Sequence, residues 1–461
     1  MTGANPPSKT ERLQSFLWSL SLKFSLWLLI FSYGYCVGQY HWFPYLLIRD
    51  AGYAYSALVR AQTEEEPQFG SIRGEIKSPT TIWHRERDDT ELILLSAGSA
   101  KIKALHPDGL LASIIDRSGR VVHAWHAPPD LWSDLHRVNR VPGVSGAVGP
   151  VCVYVYDNGD LLATFHGMNT FPFSIGIAKF DKKSNLIWKK ENFAHHNFSI
   201  TSEGHIFVPA LEIVDSPIMV GDTSGEIESP TGKIYRDQIL ELDADGKELS
   251  RRDVLQILID SGWSGQLFRS NDLVYLTDDP LHLNDVRPVG PELANQFDWL
   301  HRDDLIISLR NLNCLAIIDR ETNKIKWHSI GTTMGQHSPV PWRDGLLVFD
   351  NLGGKSDQGG TRLAFISLGD TKPETVFPKR HSEMMDYIST PNSGFLDVSS
   401  DGTRALMTLT HTGCLWEVDL ADQQINWEYI AGTDIIPEKR FKIGSARYIA
   451  SPTFLNAPSD N

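Results

Sequence analysis

The sequence predicts an all-β fold, a six-bladed β-propeller, carried behind an N-terminal transmembrane helix. Three observations predict it: a charge-free apolar stretch near the start, six copies of one strand–turn–strand unit over the rest, and very little helical pattern between the copies.

The apolar stretch runs from Phe24 to Ile48 and contains no Lys, Arg, Asp or Glu. That length spans a hydrocarbon layer of about 30 Å, and Trp27, Tyr33, Tyr35, Trp42 and Tyr45 suit its interfacial belts. Lys9, Arg12 and Lys23 precede it and favour an N-terminus that stays inside. No small-x-small cleavage pattern follows the apolar core. Tyr33 and Tyr35 stand where a lipobox before Cys36 needs Leu and a small residue. An uncleaved anchor is expected, with a cytoplasmic segment at 1–23, the span at 24–48, a membrane-proximal helix and linker at 49–70, and the propeller over 71–461.

The repeated unit is an apolar strand ending in Asp, a turn, and a second apolar strand ending in Trp. It appears as IIDRSGRVVHAW from Ile114, KFDKKSNLIW from Lys179, LELDADGKEL from Leu240, IIDRETNKIKW from Ile317 and EVDLADQQINW from Glu417. A degenerate copy, AFISLGDTKPETVF, begins at Ala364. Alternating Ile, Val and Leu give a period of two, and the Asp, Gly and Asn clusters supply the turns. Ahead of most hairpins lies a turn-headed strand, as in DNGDLLATF, SEGHIFVPA, HRDDLIISL, WRDGLLVFD and SDGTRALMTL. Such a strand followed by a hairpin is a propeller blade, and blades bury their faces only by stacking around an axis. DVLQILIDSGW, from Asp253 to Trp263, is the best helical candidate and reads as an inter-blade insertion.

Composition narrows the function. The net charge of -14 argues against a nucleic-acid partner, which needs a basic face. Four scattered cysteines, Cys36, Cys152, Cys314 and Cys414, form neither a disulfide scaffold nor a zinc site, although a Cys314–Cys414 bridge stays open. No phosphate-cradling GxxxxGK[ST] loop occurs; Gly353-Gly354-Lys355 lacks its context.

Four polar motifs break the strand pattern: Gln336-His337-Ser338-Pro339, the run from Asp279 through His282 and Asn284 to Val286, the run Leu309-Arg310-Asn311-Leu312-Asn313, and His195-His196-Asn197-Phe198. Taken singly, each is more often a satisfied turn or core residue than a catalyst. Three of them place His at an equivalent point of the unit, so the side chains are expected to meet near the axis. Three His and one Arg buried together are costly unless an anion is bound there.

In combination and order these motifs resemble the bacterial arylsulfotransferase family: DPLHLND, DDLIISLRNLNCLAIIDRETNKIKW, GQHSPV and DGLLVFDN look like its central signature, with family-like repeats from about Leu95 to Tyr448. The resemblance implies a six-bladed propeller on the periplasmic or extracytoplasmic side of an inner membrane. It also implies transfer of a sulfuryl group from an aryl sulfate donor to a phenolic acceptor, without a nucleotide donor. Carried over, His337 is the nucleophile that becomes sulfated, His282 and Arg310 hold the sulfuryl oxygens, and His196 matches the upstream histidine, with His195 as the register alternative.

The chemistry is consistent with those residue types. An imidazole nitrogen attacks sulfur and splits one difficult step into two, and Arg310 offers a permanent forked donor set. His196 is placed as acid and base toward the phenols, and Asn284 orients His282 or the substrate. No metal or other cofactor is called for. Two rival readings remain: a non-catalytic, membrane-tethered propeller binding carbohydrate or protein, and a different propeller enzyme such as a hydrolase or quinoprotein dehydrogenase. The oligomeric state is not legible.

Overall fold

The computed structural model describes residues 8–40, 42–45, 47, 48 and 51, then residues 78–455. From the latter the segments 86–90, 97–108, 140–146, 221–225, 268–277, 353–359, 379–387 and 433–439 and a few isolated positions are left out. The chain divides into two compact units, Met1–Gln62 and Thr63–Asn461.

The first unit contains the helix Lys9–Tyr40. Its stretch Arg12–Tyr40 is long and apolar enough to cross a membrane, a property a leader sequence shares. The helix begins 15 residues before the expected span. Between Arg12 and Lys23 the sequence is Leu-, Phe- and Trp-rich and continues the apolar helix unbroken. It ends at Tyr40 rather than Ile48, because Pro44 offers no N–H and restricts Phe43, and the chain turns there. The expected juxtamembrane segment 49–70 lies, Ala51 apart, outside the described residues.

The second unit is a propeller of six antiparallel blades. In chain order the first strands of blades 2 to 6 are Ala147–Val155, Ser199–Ile200, Leu283–Pro288, His337–Trp342 and Phe395–Val398. The ring closes twice. The C-terminal strand Ala446–Ile449 is the first strand of blade 1, pairing with Leu92–Ser96. The N-terminal strand Thr80–Trp83 is added outside blade 6, against Ile425–Ile430. First strands of neighbouring blades contact one another around the axis.

All six expected hairpins are the third and fourth strands of a blade. The recurring Asp has a local cause. Oδ1 of Asp116, Asp181, Asp243, Asp319 and Asp419 accepts the backbone N–H two residues on, at 2.8–3.0 Å, closing the turn. The recurring Trp bridges blades. Trp125 of blade 1 donates its indole N–H to the Gly159 carbonyl of blade 2, and Trp427 of blade 6 donates to the Arg117 carbonyl of blade 1. Alternation along one strand serves two interfaces: Leu346 and Val348 pack with Ile306 and Ile317 of blade 4, and Leu347 and Phe349 pack with Leu396 and Met407 of blade 6.

The turn-headed strands are second in each blade, one place outward from the axis. Among the first strands, Ser199–Ile200 is two residues long, and Leu283–Pro288 and His337–Trp342 are interrupted by polar residues or proline, so these carry no regular apolar alternation. The helix Val254–Asp260 sits between blades 3 and 4 as expected, capped by Asp253, whose side chain accepts the Gln256 N–H. All four cysteines are free.

Candidate active site

The beginning of each first strand lies beside the end of its second strand, since the two are antiparallel. Leu283 pairs with Leu309, His337 with Phe349, and Gly149 with His166. Polar residues at those positions therefore gather on one face of the ring. His196 precedes the first strand of blade 3, His282 precedes that of blade 4, and His337 opens that of blade 5. His166, Arg310, Asn351 and Thr410 stand at or just past the ends of the second strands of blades 2, 4, 5 and 6.

The structure brings the four sequence-predicted residues together. The His196 ring centroid is 4.9 Å from that of His282 and 6.5 Å from that of His337. The Arg310 N–H donates to the His282 carbonyl at 3.0 Å, and its guanidinium acts on the His337 ring. His196 and His282 both have left-handed backbones, φ 54° and 56°, as does Ser338 beside His337. Strain of this kind persists only where surrounding contacts over-determine it, and those contacts are present. The His196 N–H donates to His166 Nε2 at 3.1 Å, while its carbonyl accepts from Thr164 Oγ1 at 2.8 Å. His282 Nδ1 lies 2.5 Å from Asp279 Oδ2, so that nitrogen carries a proton.

Gln336, fully buried, reaches across to blade 4. Its side-chain amide donates to Ser308 Oγ and to the carbonyls of Leu309 and Cys314. Asn284, also fully buried, donates to the Gln336 carbonyl at 2.8 Å. It ties the two motifs together and lies outside the cavity wall. His195 is buried behind His196, their Nδ1 atoms 2.6 Å apart.

A cavity of about 230 Å³ opens on His337 and His196, and His166, Asn197, Ser393, Gly394, Thr410 and Lys442 are also in its wall; His282 and Arg310 stand outside that lining. Gly394 is obligatory there: φ is 136°, and a Cβ would lie 2.3 Å from the Phe349 ring. Phe173 stacks on His282, centroids 6.0 Å apart and planes 24° apart. Burial pushes the His337 ring down to about 3; Arg310 and His282 add to this, against weaker hydrogen bonding by Asn351 and the Gly335 carbonyl. Burial and His282 take His166 to about 3 as well, and burial with the neighbouring imidazoles holds His195 and His196 well below the usual histidine range. These four rings are neutral at physiological pH.

Two groups have metal-ligand character among the described residues. In His166, His195 and His196 the two Nδ1 atoms are in hydrogen-bond contact at 2.6 Å, whereas two ligands on one tetrahedral zinc sit about 3.3 Å apart. His166 Nε2 is also engaged by a backbone N–H. In His301, Asp304 and Asp319, Lys326 Nζ already takes the cation's place, 2.8 Å from Asp304 and 3.4 Å from Asp319.

The arylsulfotransferase (ASST) family model matches residues 153–432, which holds all four polar motifs. The chain belongs to the arylsulfotransferase family. None of the curated proteins matches it. Two solved structures are similar over 79% of this chain: a protein of unknown function from Bacteroides caccae, covered over 100% of its length at 10% identity and TM-score 0.46, and a protein from Bacteroides fragilis provisionally assigned as a 6-phosphogluconolactonase, covered over 99% at 8% identity and TM-score 0.39. Neither likeness bears on the chemistry of this arylsulfotransferase-family chain.

Sequence reasoning passed over His166 and Asn351. Both carry one signal, a polar residue closing an otherwise apolar turn-headed strand, the same signal that marks Arg310.

Proposed function

We propose that this chain moves a sulfuryl group from an aryl sulfate ester to a phenol, with no nucleotide donor, through a sulfated His337. The reading rests on one observation: in a member of the arylsulfotransferase family, a neutral His337 lines a cavity together with His196, with Arg310 and His282 beside it. An imidazole lone pair attacks sulfur, and the S–O bond to the aryl group breaks with its electron pair leaving as phenolate. Charge on the sulfuryl oxygens is met by Arg310 and by His282, itself oriented by Asp279. His196, neutral in its buried setting, then takes the acceptor's proton. The acceptor phenolate attacks sulfur, the N–S bond returns its pair to His337, and His196 releases the proton to a phenolate or to solvent. The N-terminal helix serves as an inner-membrane anchor, with the propeller outside the cytoplasm.

The test is release of a coloured phenol from an aryl sulfate, stimulated by a second phenol. A His337→Ala protein that is folded yet turns over normally would sink the reading.

A further inference from the structure

We infer that Asn351 is the positioning residue that fixes the tautomer of His337, leaving Nε2 as the one nitrogen able to take the sulfuryl group. The inference rests on the transfer reading above for its chemistry, and on hydrogen bonding alone for the tautomer.

Asn351 follows the strand Gly345–Asp350 of blade 5 and is fully buried. Its Nδ2 donates to two carbonyls, that of Thr390 and, at 2.7 Å, that of Ser393. Two carbonyl oxygens on one side of an amide admit only its NH₂ there, so the orientation of the group is decided and Oδ1 faces the other way. Oδ1 lies 2.8 Å from His337 Nδ1. An amide oxygen only accepts, so Nδ1 carries the hydrogen. His337 is 3% exposed, and a neutral imidazole has a single proton. Nε2 is left with its lone pair, on a ring that forms part of the cavity wall. The same Ser393 whose carbonyl holds Asn351 lines that cavity, so the substrate wall and the tautomer lock are one piece of structure.

The other charged or titratable groups acting on His337 are Arg310 and His282 of blade 4 and His196 ahead of blade 3. None of them offers Nδ1 a competing acceptor among the described hydrogen bonds. The Gly335 carbonyl, two residues back along the chain, also favours a ring hydrogen, but no bond of full hydrogen-bond geometry joins it to His337 among those described, so Asn351 Oδ1 is the acceptor that decides the tautomer. Asp285 reaches the neighbourhood only through Asn197, whose Nδ2 contacts both Asp285 Oδ2 and Ser338 Oγ.

An amide also suits the second half of the reaction. When Nε2 bonds to sulfur and the aryl oxygen leaves with the S–O pair, the ring keeps its Nδ1 hydrogen and becomes cationic, balancing the bound sulfonate. A neutral Asn351 oxygen steadies that hydrogen without neutralising the ring. The imidazole remains a good leaving group when an acceptor phenolate attacks sulfur and the N–S pair returns to Nε2. A carboxylate in the same place would stabilise the cation and hold the sulfuryl group too firmly.

Three measurements on the full-length protein in detergent test this. In ¹⁵N-histidine NMR, with His337 assigned by its disappearance in His337→Gln, the ring should be the Nδ1–H tautomer; an Nε2–H tautomer overturns the inference. This readout needs no turnover, so it stands apart from the transfer reading, which fails by itself if the wild type releases no phenol from an aryl sulfate. When the intermediate is trapped with 4-nitrophenyl sulfate, the sulfonate should be on Nε2, and a sulfonate on Nδ1 overturns the inference. Finally, Asn351→Leu should lower kcat roughly 10⁴-fold, the size seen when a catalytic imidazole is left in the wrong tautomer, with KM little changed. Asn351→Asp should move the acid limb of the rate profile up by roughly one to three pH units, because an anion at Nδ1 favours the protonated ring. Wild-type kcat and an unmoved acid limb in a folded Asn351→Asp protein would show that Asn351 only fills space.

Discussion

The imidazole of His166 accepts the backbone N–H of His196 at 3.1 Å, although the two belong to different blades and lie 30 residues apart. With Thr164 Oγ1 on the His196 carbonyl, one strand of blade 2 grips both polar groups of a residue held at φ 54°. The grip fixes where the His196 ring meets His282 and the cavity.

Removing it should therefore cost rate more than fold. We expect His166→Leu to lower kcat by about 10- to 100-fold, consistent with a small misplacement of a catalytic group. His166→Gln, whose Oε1 replaces Nε2 as acceptor, should recover most of it. Equal losses in the two variants would show that the His166 ring itself takes part in proton transfer.

Arg310→Lys is predicted to keep the positive charge beside His337 but lose the forked geometry, giving a drop in kcat/KM of at least about 10-fold. Steady-state kinetics with one donor and varied acceptor measure it. An unchanged value would remove Arg310 from the sulfuryl-binding set.

Ring closure depends on a buried cluster. Glu417, wholly buried, pairs with Arg117, accepts from Tyr448 Oη at 3.0 Å and lies 3.4 Å from Arg404, which also pairs with Glu91 at 2.7 Å. These residues join blade 6 to blade 1 and to the closing C-terminal strand. Glu417→Leu removes the buried carboxylate that Arg117 and Arg404 share, so a loss of about 3–5 kcal/mol is expected in denaturant unfolding of the propeller. A loss below about 1 kcal/mol would mean that the ring closes without help from the Glu417 carboxylate.

Acid should destabilise the fold through the neutral histidines. His337 and His166 titrate near 3 in the fold and near 6.5 when unfolded. Between those values the unfolded chain binds more protons, so stability rises with pH across that window and falls as pH drops through it. The melting temperature should decline steadily from pH 6.5 toward pH 4, and less steeply in His166→Gln. Parallel curves for the two proteins would argue that His166 is not neutral in the native state.

Recovery should report the anchor. The helix with its stretch Arg12–Tyr40 predicts sedimentation with membranes and release by detergent but not by salt or carbonate. A mature N-terminus beyond residue 40 in a soluble fraction would identify a leader sequence instead.

The sequence by itself determined the repeat. Strand alternation and the Asp-closed turns act within a dozen residues, so they leave a local mark at Asp116, Asp181, Asp243, Asp319 and Asp419. It also marked His196, His282, Arg310 and His337, because polar groups interrupt apolar strands there. Only the tertiary structure decided what those residues meet. Ser199–Ile200 is only two residues long, and Leu283–Pro288 sets polar residues among its buried Leu283 and Val286, which hid both strands from the pattern. The partners that set each ring's proton and pose come from elsewhere in the ring: His166 for His196, Asn351 for His337, and Asn197 reaching Ser338 across 141 residues. Such pairings depend on how six blades close around one axis, a long-range packing outcome that no local run of residues encodes.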